Sequence, residues 1–461
     1  MLQLLLGGSG SGKTTLLYQR IRARAEKGEK SILLVPEQFT SSTEGRIYRE
    51  LGDALSGMVE SFSFTSLAEK ILSTEGGAAV QTLSDAGRAV LVRRALEELQ
   101  DNVHYYHRHR RSAAFCQMAA QTIDELKSAG LSGQQLAQLA GACGAESGKL
   151  SELALIFQGY ETLLARSGMD PSDRLELAGA RLEEALARHS LPEFLRDRAV
   201  FIDEFDTFNA PKKRLLGAML AALPSVTVAL CDDGAPLLPG DLSLFSGAKQ
   251  VAAQLRQLAR KNGAEVAVPQ LLRKDLRHRN APGLAAVAEL LETGSCTADA
   301  PAGEVRLFAA PSREEEARAA AGAIRRLMRQ GVRCGKIAVV CRDIAKYRAA
   351  VRYEFRMAEI PLYCDEPSTP EFSAPATAVR ALLEIARGAD LTENLTTLAK
   401  TGLCALSEEQ VCALENYAYT WAPTAAAWRE KFERSPKGFG EQELTEEDLR
   451  NRERAEHARA L

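Results

Sequence analysis

The sequence has 461 residues, 46% hydrophobic and 26% charged, with Lys+Arg 58 against Asp+Glu 61. This is ordinary globular composition, long enough for about two to four domains; it contains no run apolar enough to span a bilayer and no export leader. The net charge of −3 gives no global argument for or against a polyanionic partner, so such a site must be a local patch, and nine cysteines without a C-x-x-C pair or zinc spacing read as free thiols of a cytoplasmic chain.

Leu2–Leu6 is a short apolar run ending in glycine, the pattern of a buried parallel strand. Gly7–Gly12 follows as a glycine/serine loop, Lys13 to about Glu26 as a helix, and Ser31–Val35 as a second strand closed by Pro36. Strand, loop, helix and strand make the crossover unit of an α/β sheet. From about Ser84 to His189 long amphipathic stretches take over: Asp85–Gln100, Ala114–Ala129, Ser151–Ser167 and Asp173–His189. Sheet character returns at Arg198–Asp203 and Val226–Leu230, with a helix at Pro211–Leu223 between them.

A Pro/Gly/Ala-rich stretch, Glu292–Gly303, reads as a linker. After it come strand Val305–Ala309, helix Arg313–Gln330, strand Lys336–Cys341, helix Ile344–Met357 and the short Ile360–Tyr363, and the charged tail ends inside a helix, Glu446–Leu461. The reading is therefore an α/β fold: a first lobe over 1–83 and 196–291, interrupted by an all-helical insertion at 84–195. A linker at 292–303 leads to part of a second α/β lobe over 304–461.

Gly7, Gly8, Ser9, Gly10, Ser11, Gly12, Lys13 and Thr14 satisfy G-x-x-x-x-G-K-[ST] in full, after a strand and before a helix. Glycines let backbone N–H groups converge on phosphate oxygens, and the helix adds its N-terminal dipole. Lys13 would reach the outer phosphates of ATP and Thr14 would offer its hydroxyl to Mg²⁺. Such a loop needs a carboxylate at the end of a neighbouring strand, and Val200–Glu204 supplies two: Asp203 for the metal's surroundings and Glu204 as the base that orients water. Having both parts argues for hydrolysis as well as binding.

Three other segments read two ways. His104–Arg111 is basic and aromatic, which suits phosphate contacts and base stacking, and equally suits a solvated loop between helices. Arg277 or Arg279 could reach the γ-phosphate, or both could lie on an exposed turn. Asp232 and Asp233 could sense nucleotide or close a plain strand-end loop.

The order of these segments resembles superfamily 1 helicases of the UvrD/RecB type, with a P-loop NTPase (RecA-like) lobe. It runs from the glycine loop through Leu34–Thr40 and Ser63–Leu72 to Asp203–Phe208, then Glu314–Arg329 and Lys336–Arg342. Val35-Pro-Glu-Gln38, Asp124-Glu-Leu-Lys127, Leu153–Phe157 and Asp170-Pro-Ser-Asp173 are similar to the AddB (RexB-like) family, one of the two subunits of the AddAB helicase–nuclease. The resemblance implies ATP and Mg²⁺ as cofactors, an AddA-type partner in a heterodimer, contact with single- and double-stranded DNA, and a role in double-strand break repair by homologous recombination. It also implies that this is the N-terminal part of a longer protein. The family's nuclease domain and iron–sulfur cluster then lie in a C-terminal part absent here.

Two departures from the helicase pattern weaken the coupling of ATP to translocation, and they fit what the resemblance implies, a degenerate motor that contacts single-stranded DNA. Only six residues precede Gly7, leaving no room for an adenine-reading glutamine, and Leu230–Pro236 lacks the third motif's glutamine; the retained Glu204 points the other way. The rival readings are an active UvrD-like helicase and a P-loop switch with no DNA role. The switch predicts neither Phe64–Leu67 nor a second lobe.

Overall fold

The apolar runs become strands of one parallel sheet. In the computed structural model these are β1 (Leu2–Gly7), β2 (Ser31–Leu34), β3 (Val59–Phe62), β4 (Ala199–Ile202), β5 (Ser225–Cys231) and β6 (Gln270–Leu272), in the order β3-β2-β4-β5-β1-β6. The structure describes the chain except residues 78–80, 143, 145–146, 296–303, 365–372, 390 and 441–442, and leaves out the side chain of residue 41. It divides into two units, Met1–Arg306 and Leu307–Leu461.

In the first unit both faces of the sheet are covered, which is why its central strands are apolar throughout. Helices α1 (Lys13–Ala25), α2 (Thr40–Leu51) and the short α3 (Asp53–Ser56) lie on one face, where Leu5, Leu33, Phe201 and Ala229 join Leu17, Ile21 and Ile47 in a core. The alternate residues Leu4, Leu6, Ile32, Val200 and Val228 face the other way. They meet α4 (Phe64–Glu75), which opens with a Ser63 capping box.

The link from α4 to β4 carries α5 (Asp85–Glu98), α6 (Ala113–Ser128), α7 (Gly133–Ala140), α8 (Ser147–Ser167) and α9 (Pro171–Ala187). Helices α5 to α8 enclose a core of their own around Phe157 and Tyr160. Helix α9 buries Leu175, Ala178 and Leu182 in the main core, and so do α10 (Ala210–Ala222) and α11 (Ser246–Lys261); α12 (Pro282–Thr293) follows β6. A buried polar knot ties α6, α8 and α9: Tyr160 Oη donates to Asp170 at 2.6 Å, and Lys127 Nζ to Asp170 at 2.8 Å and Asp173 at 2.7 Å. Asp170 is 1% exposed. The two sequence segments that carry the family resemblance here are thus the two sides of one charge cluster.

The second unit holds α13 (Arg313–Arg329), α14 (Ile344–Met357), α15 (Ala374–Ala386), α16 (Leu391–Lys400), α17 (Glu408–Trp421) and α18 (Glu446–Ala460). α13 and α14 pack on each other through Ala321, Ile324, Val351 and Phe355, while α17 and α18 close a second core with Trp428 and Phe432. The segments read as strands, Val305–Ala309 and Lys336–Cys341, are corrected: neither enters a ladder among the described residues. An apolar run becomes a strand only where another backbone takes up its N–H and C=O groups. Lacking one, Leu307 and Val340 are exposed. The expected linker is in part the end of α12, and residues 296–303 of it lie outside the described residues.

Removing the acid at the centre of the polar knot leaves an ammonium and a phenol buried with fewer partners. Asp170→Ala is expected to lower stability by about 2–4 kcal/mol in urea unfolding followed by circular dichroism. A loss below ~0.5 kcal/mol would show the knot to be solvated rather than structural.

Candidate active site

The glycine loop leaves β1 at the carboxyl edge of the sheet and turns into α1. Two of its glycines hold left-handed backbone, Gly10 at φ 79° and Gly12 at φ 87°, conformations that cost L side chains energy. Gly12 caps α1, whose first turn carries no acidic residue, so the positive helix end is unopposed. Lys13 Nζ folds back over the loop and donates to the carbonyls of Gly7 at 2.7 Å and Gly8 at 2.8 Å. Burial holds its pKa below the ordinary lysine value, against the pull of Asp203 and Glu292. Ser11 Oγ is buried without a hydrogen-bond partner in this state of the loop.

Asp203 and Glu204 follow β4 directly. The Asp203 N–H extends the ladder to Leu34 O at 3.1 Å, and Asp203 Oδ1 accepts the Glu204 N–H at 3.0 Å. That bond helps to hold Glu204 at φ 65°, an uncommon backbone for a non-glycine residue and a kind of strain found at functional sites. Burial raises the Glu204 pKa, the adjacent Asp203 raises it further, and Arg46 opposes both. A carboxylate pushed upward in this way suits a proton acceptor.

One expectation is corrected here: β4 does not neighbour β1, because β5 pairs with both and lies between them. Loop and carboxylates therefore face each other across the end of β5, over a cavity of about 530 Å³ lined by Lys13, Thr14, Asp203, Glu204, Ala229 and Cys231, among others. The donor set fits a nucleotide with Mg²⁺. The Thr14 hydroxyl and Asp203 carboxylate are hard oxygen ligands, and Mg²⁺ characteristically takes one or two protein oxygens with substrate phosphates rather than a full protein cage.

The segment after β6 lies on the loop. Leu276 N–H donates to Gly10 O at 3.0 Å, and Arg277 Nη1 donates to Ser9 Oγ at 3.3 Å. Arg277 thus lines the cavity, whereas Arg279 does not. Asp275 holds the turn, accepting the N–H groups of Arg277 and His278 at 3.0 Å each. Asp232 and Asp233 stand in a strand-end turn, accepting from Gly234 and Ala235, and Asp233 pairs with Lys249 at 3.2 Å. His104–Arg111 is a loop between α5 and α6, pinned by Glu152, which accepts the N–H groups of His104, Tyr105 and Tyr106.

Sequence reasoning missed Arg46, Cys231 and Asp206, all of which line the cavity. Cys231 was within reach: it is the last residue of the strand that lies between the two motifs. Arg46 is one of several polar residues on an amphipathic helix, and nothing in its spacing sets it apart.

A Cβ at Gly12 would combine left-handed backbone with a 3.0 Å approach to Leu276 Cδ1. Gly12→Ala is expected to weaken ATP binding by roughly 10-fold or more in a titration, from about 1–2 kcal/mol of backbone strain. Undiminished affinity would mean that the loop does not hold this geometry when it binds.

Known proteins are similar to this sequence over most of its length. The family model for the N-terminal part of AddB matches residues 4–288. The chain is 32% identical over 446 residues to the B component of the ATP-dependent helicase/deoxyribonuclease of Desulforudis audaxviator, covering 93% of this chain and 37% of that protein. It is 31% identical to the proteins of the same name from Symbiobacterium thermophilum and Moorella thermoacetica, covering 93% of this chain and 38% of each. The chain thus spans less than half the length of these curated relatives. With its glycine loop and its Asp203–Glu204 turn inside the matched residues, this chain belongs to the AddB N-terminal family.

Proposed function

We propose that this chain is the ATP-binding, helicase-like N-terminal part of the AddB component of an AddAB-type helicase–exonuclease. It would act in the cytoplasm in double-strand break repair, paired with an AddA-type partner and in contact with DNA. The observation that carries this reading is the meeting of Lys13 and Thr14 with Asp203 and Glu204 around one cavity. In it Lys13 leaves the carbonyls of Gly7 and Gly8 for the outer phosphates, and the loop N–H groups and the α1 dipole hold the rest of the chain of phosphates. Thr14 and Asp203 would hold Mg²⁺, which supplies neutralisation of phosphate charge. Glu204, raised in pKa by burial, would take a proton from the attacking water. Of Arg277 and Arg279, Arg277 is the one placed to meet the phosphates, since it lines the cavity and touches the loop at Ser9.

The DNA part of the reading rests on family membership and on the names of the relatives. Contacts to phosphates must weaken steeply with salt.

ATP hydrolysis by the wild-type chain, Lys13→Ala and Glu204→Gln, with and without single-stranded DNA, tests the reading. Lys13→Ala is expected to abolish measurable binding. Glu204→Gln is expected to keep binding but to slow any turnover by about 100-fold or more. Turnover stimulated by DNA would mark a competent motor; tight binding without turnover would mark a degenerate one. No affinity for ATP in the wild type would sink the nucleotide site, and no DNA binding at low salt would sink the DNA role.

A further inference from the structure

Arg46 stands on α2 where two cavities meet. The first is the phosphate-loop cavity; the second, also about 530 Å³, runs from the same carboxylates along α2 past Phe39 and Thr43. Thr14, Arg46, Asp203, Glu204 and Asp206 line both. Among the described residues the Arg46 guanidinium has no ion pair or hydrogen-bond partner; it is held over the Tyr18 ring, with Cζ 4.9 Å from the centroid. A cation–π contact of this kind is weak, about 0.5–1 kcal/mol where partly solvated, and leaves all five N–H donors free.

Its place along the site follows from helix geometry. Thr14 and Tyr18 are four apart on α1 and therefore share a face. The guanidinium lines both cavities together with Thr14, Asp203 and Glu204, and its charge acts on Glu204. This is the end of the cavity where the carboxylates are, and hence the end where a triphosphate's last phosphate would lie. Among the described residues that line the two cavities, Lys13 is bonded to Gly7 and Gly8, Arg277 sits on Ser9 and Arg49 donates to the Gly45 carbonyl, which leaves Arg46 as the cation with no hydrogen-bond partner. A planar fork with unused donors matches the oxygens of a phosphate, and the cavity already holds the carboxylates it could otherwise bind.

We propose that Arg46 is a ligand of the nucleotide's terminal phosphate, supplied by the same lobe as the phosphate loop, so that the site distinguishes triphosphate from diphosphate without a second lobe. This rests on the nucleotide-site reading above and adds to it a residue and a specificity. The guanidinium would exchange the Tyr18 ring for phosphate oxygens by a side-chain movement within the shared space of the two cavities. Nothing in the loop or in α2 has to move.

The test is a titration of the full chain with a non-hydrolysable ATP analogue and with ADP, each with Mg²⁺, for wild type, Arg46→Gln and Arg46→Lys. Arg46→Gln, which keeps most of the aliphatic stem, is expected to lose about 10- to 100-fold in affinity for the analogue and less than about 2-fold for ADP. Arg46→Lys should recover part of that loss, as a point charge without the fork. Equal losses for both nucleotides, with a lowered Tm, would make Arg46 a brace between α1 and α2 and overturn the proposal; so would unchanged affinity for both. Lys13→Ala separates the two levels: it should abolish both nucleotides. A wild-type chain that binds neither removes the site itself, and the role of Arg46 with it.

Discussion

The geometry of the site depends on β5 lying between β1 and β4. Parallel pairing sets Gly7 level with Cys231 and Ile202 level with Val228, so β4 ends lower along the sheet than β1 does. Adjacent strands are about 4.8 Å apart, so the loop and the carboxylates are offset by roughly 10 Å across the sheet, and the carboxylates are set back along it as well. The hollow this leaves is floored by Ala229 and Cys231, alternate residues of β5 that face the same way. The two motifs are therefore brought to one hollow by the two ladders that β5 makes, with β1 on one side and β4 on the other.

The turn after β4 is held by more than its own hydrogen bonds. Phe205 and Phe208 pack against Phe64 with ring centroids 5.2 and 6.0 Å away, and Lys212 lies over the rings of Phe64 and Phe205. Phe64 is the first residue of α4, so the segment after β3 sits against the segment that carries the carboxylates. A backbone held at φ 65° at Glu204 persists only where its surroundings over-determine it. This aromatic cluster is that surrounding.

The glycine loop and its flanking strand and helix were legible because local chemistry decides them: an apolar run, glycines that alone tolerate left-handed backbone, and a capped helix. The long amphipathic helices were legible for the same reason, as the near agreement at Asp85–Glu98 and Ile344–Met357 shows. What escaped is settled by distant partners. β3 has Glu60 and Ser61 in the middle of a four-residue strand and exists because Ser31–Leu34 pairs with it. β6 is three half-buried residues held by β1. Val305–Ala309 and Lys336–Cys341 have better strand composition than either, yet form no ladder among the described residues. In the site, Lys13, Thr14, Asp203 and Glu204 came from motifs, while Arg46 and the contact between Arg277 and Ser9 depend on how α2 and the segment after β6 are brought to the loop.

The site is already satisfied in part by its own groups, and that shapes what a ligand must do. Lys13 is spent on two loop carbonyls, Leu276 on Gly10, and Arg277 on Ser9. A triphosphate entering here would exchange these contacts rather than fill a void, so its net gain would be the difference between bonds to a charged phosphate and the bonds to neutral oxygens they replace. The groups that lose least on exchange contribute most to that difference. Ser11 Oγ, buried and without a partner, and the Arg46 guanidinium, held by a ring and a longer-range attraction to Glu204, have no hydrogen bond to surrender. On the proposed reading, selectivity among phosphate ligands would fall to the residues that the protein's own contacts leave unbonded, rather than to the lysine that the motif advertises.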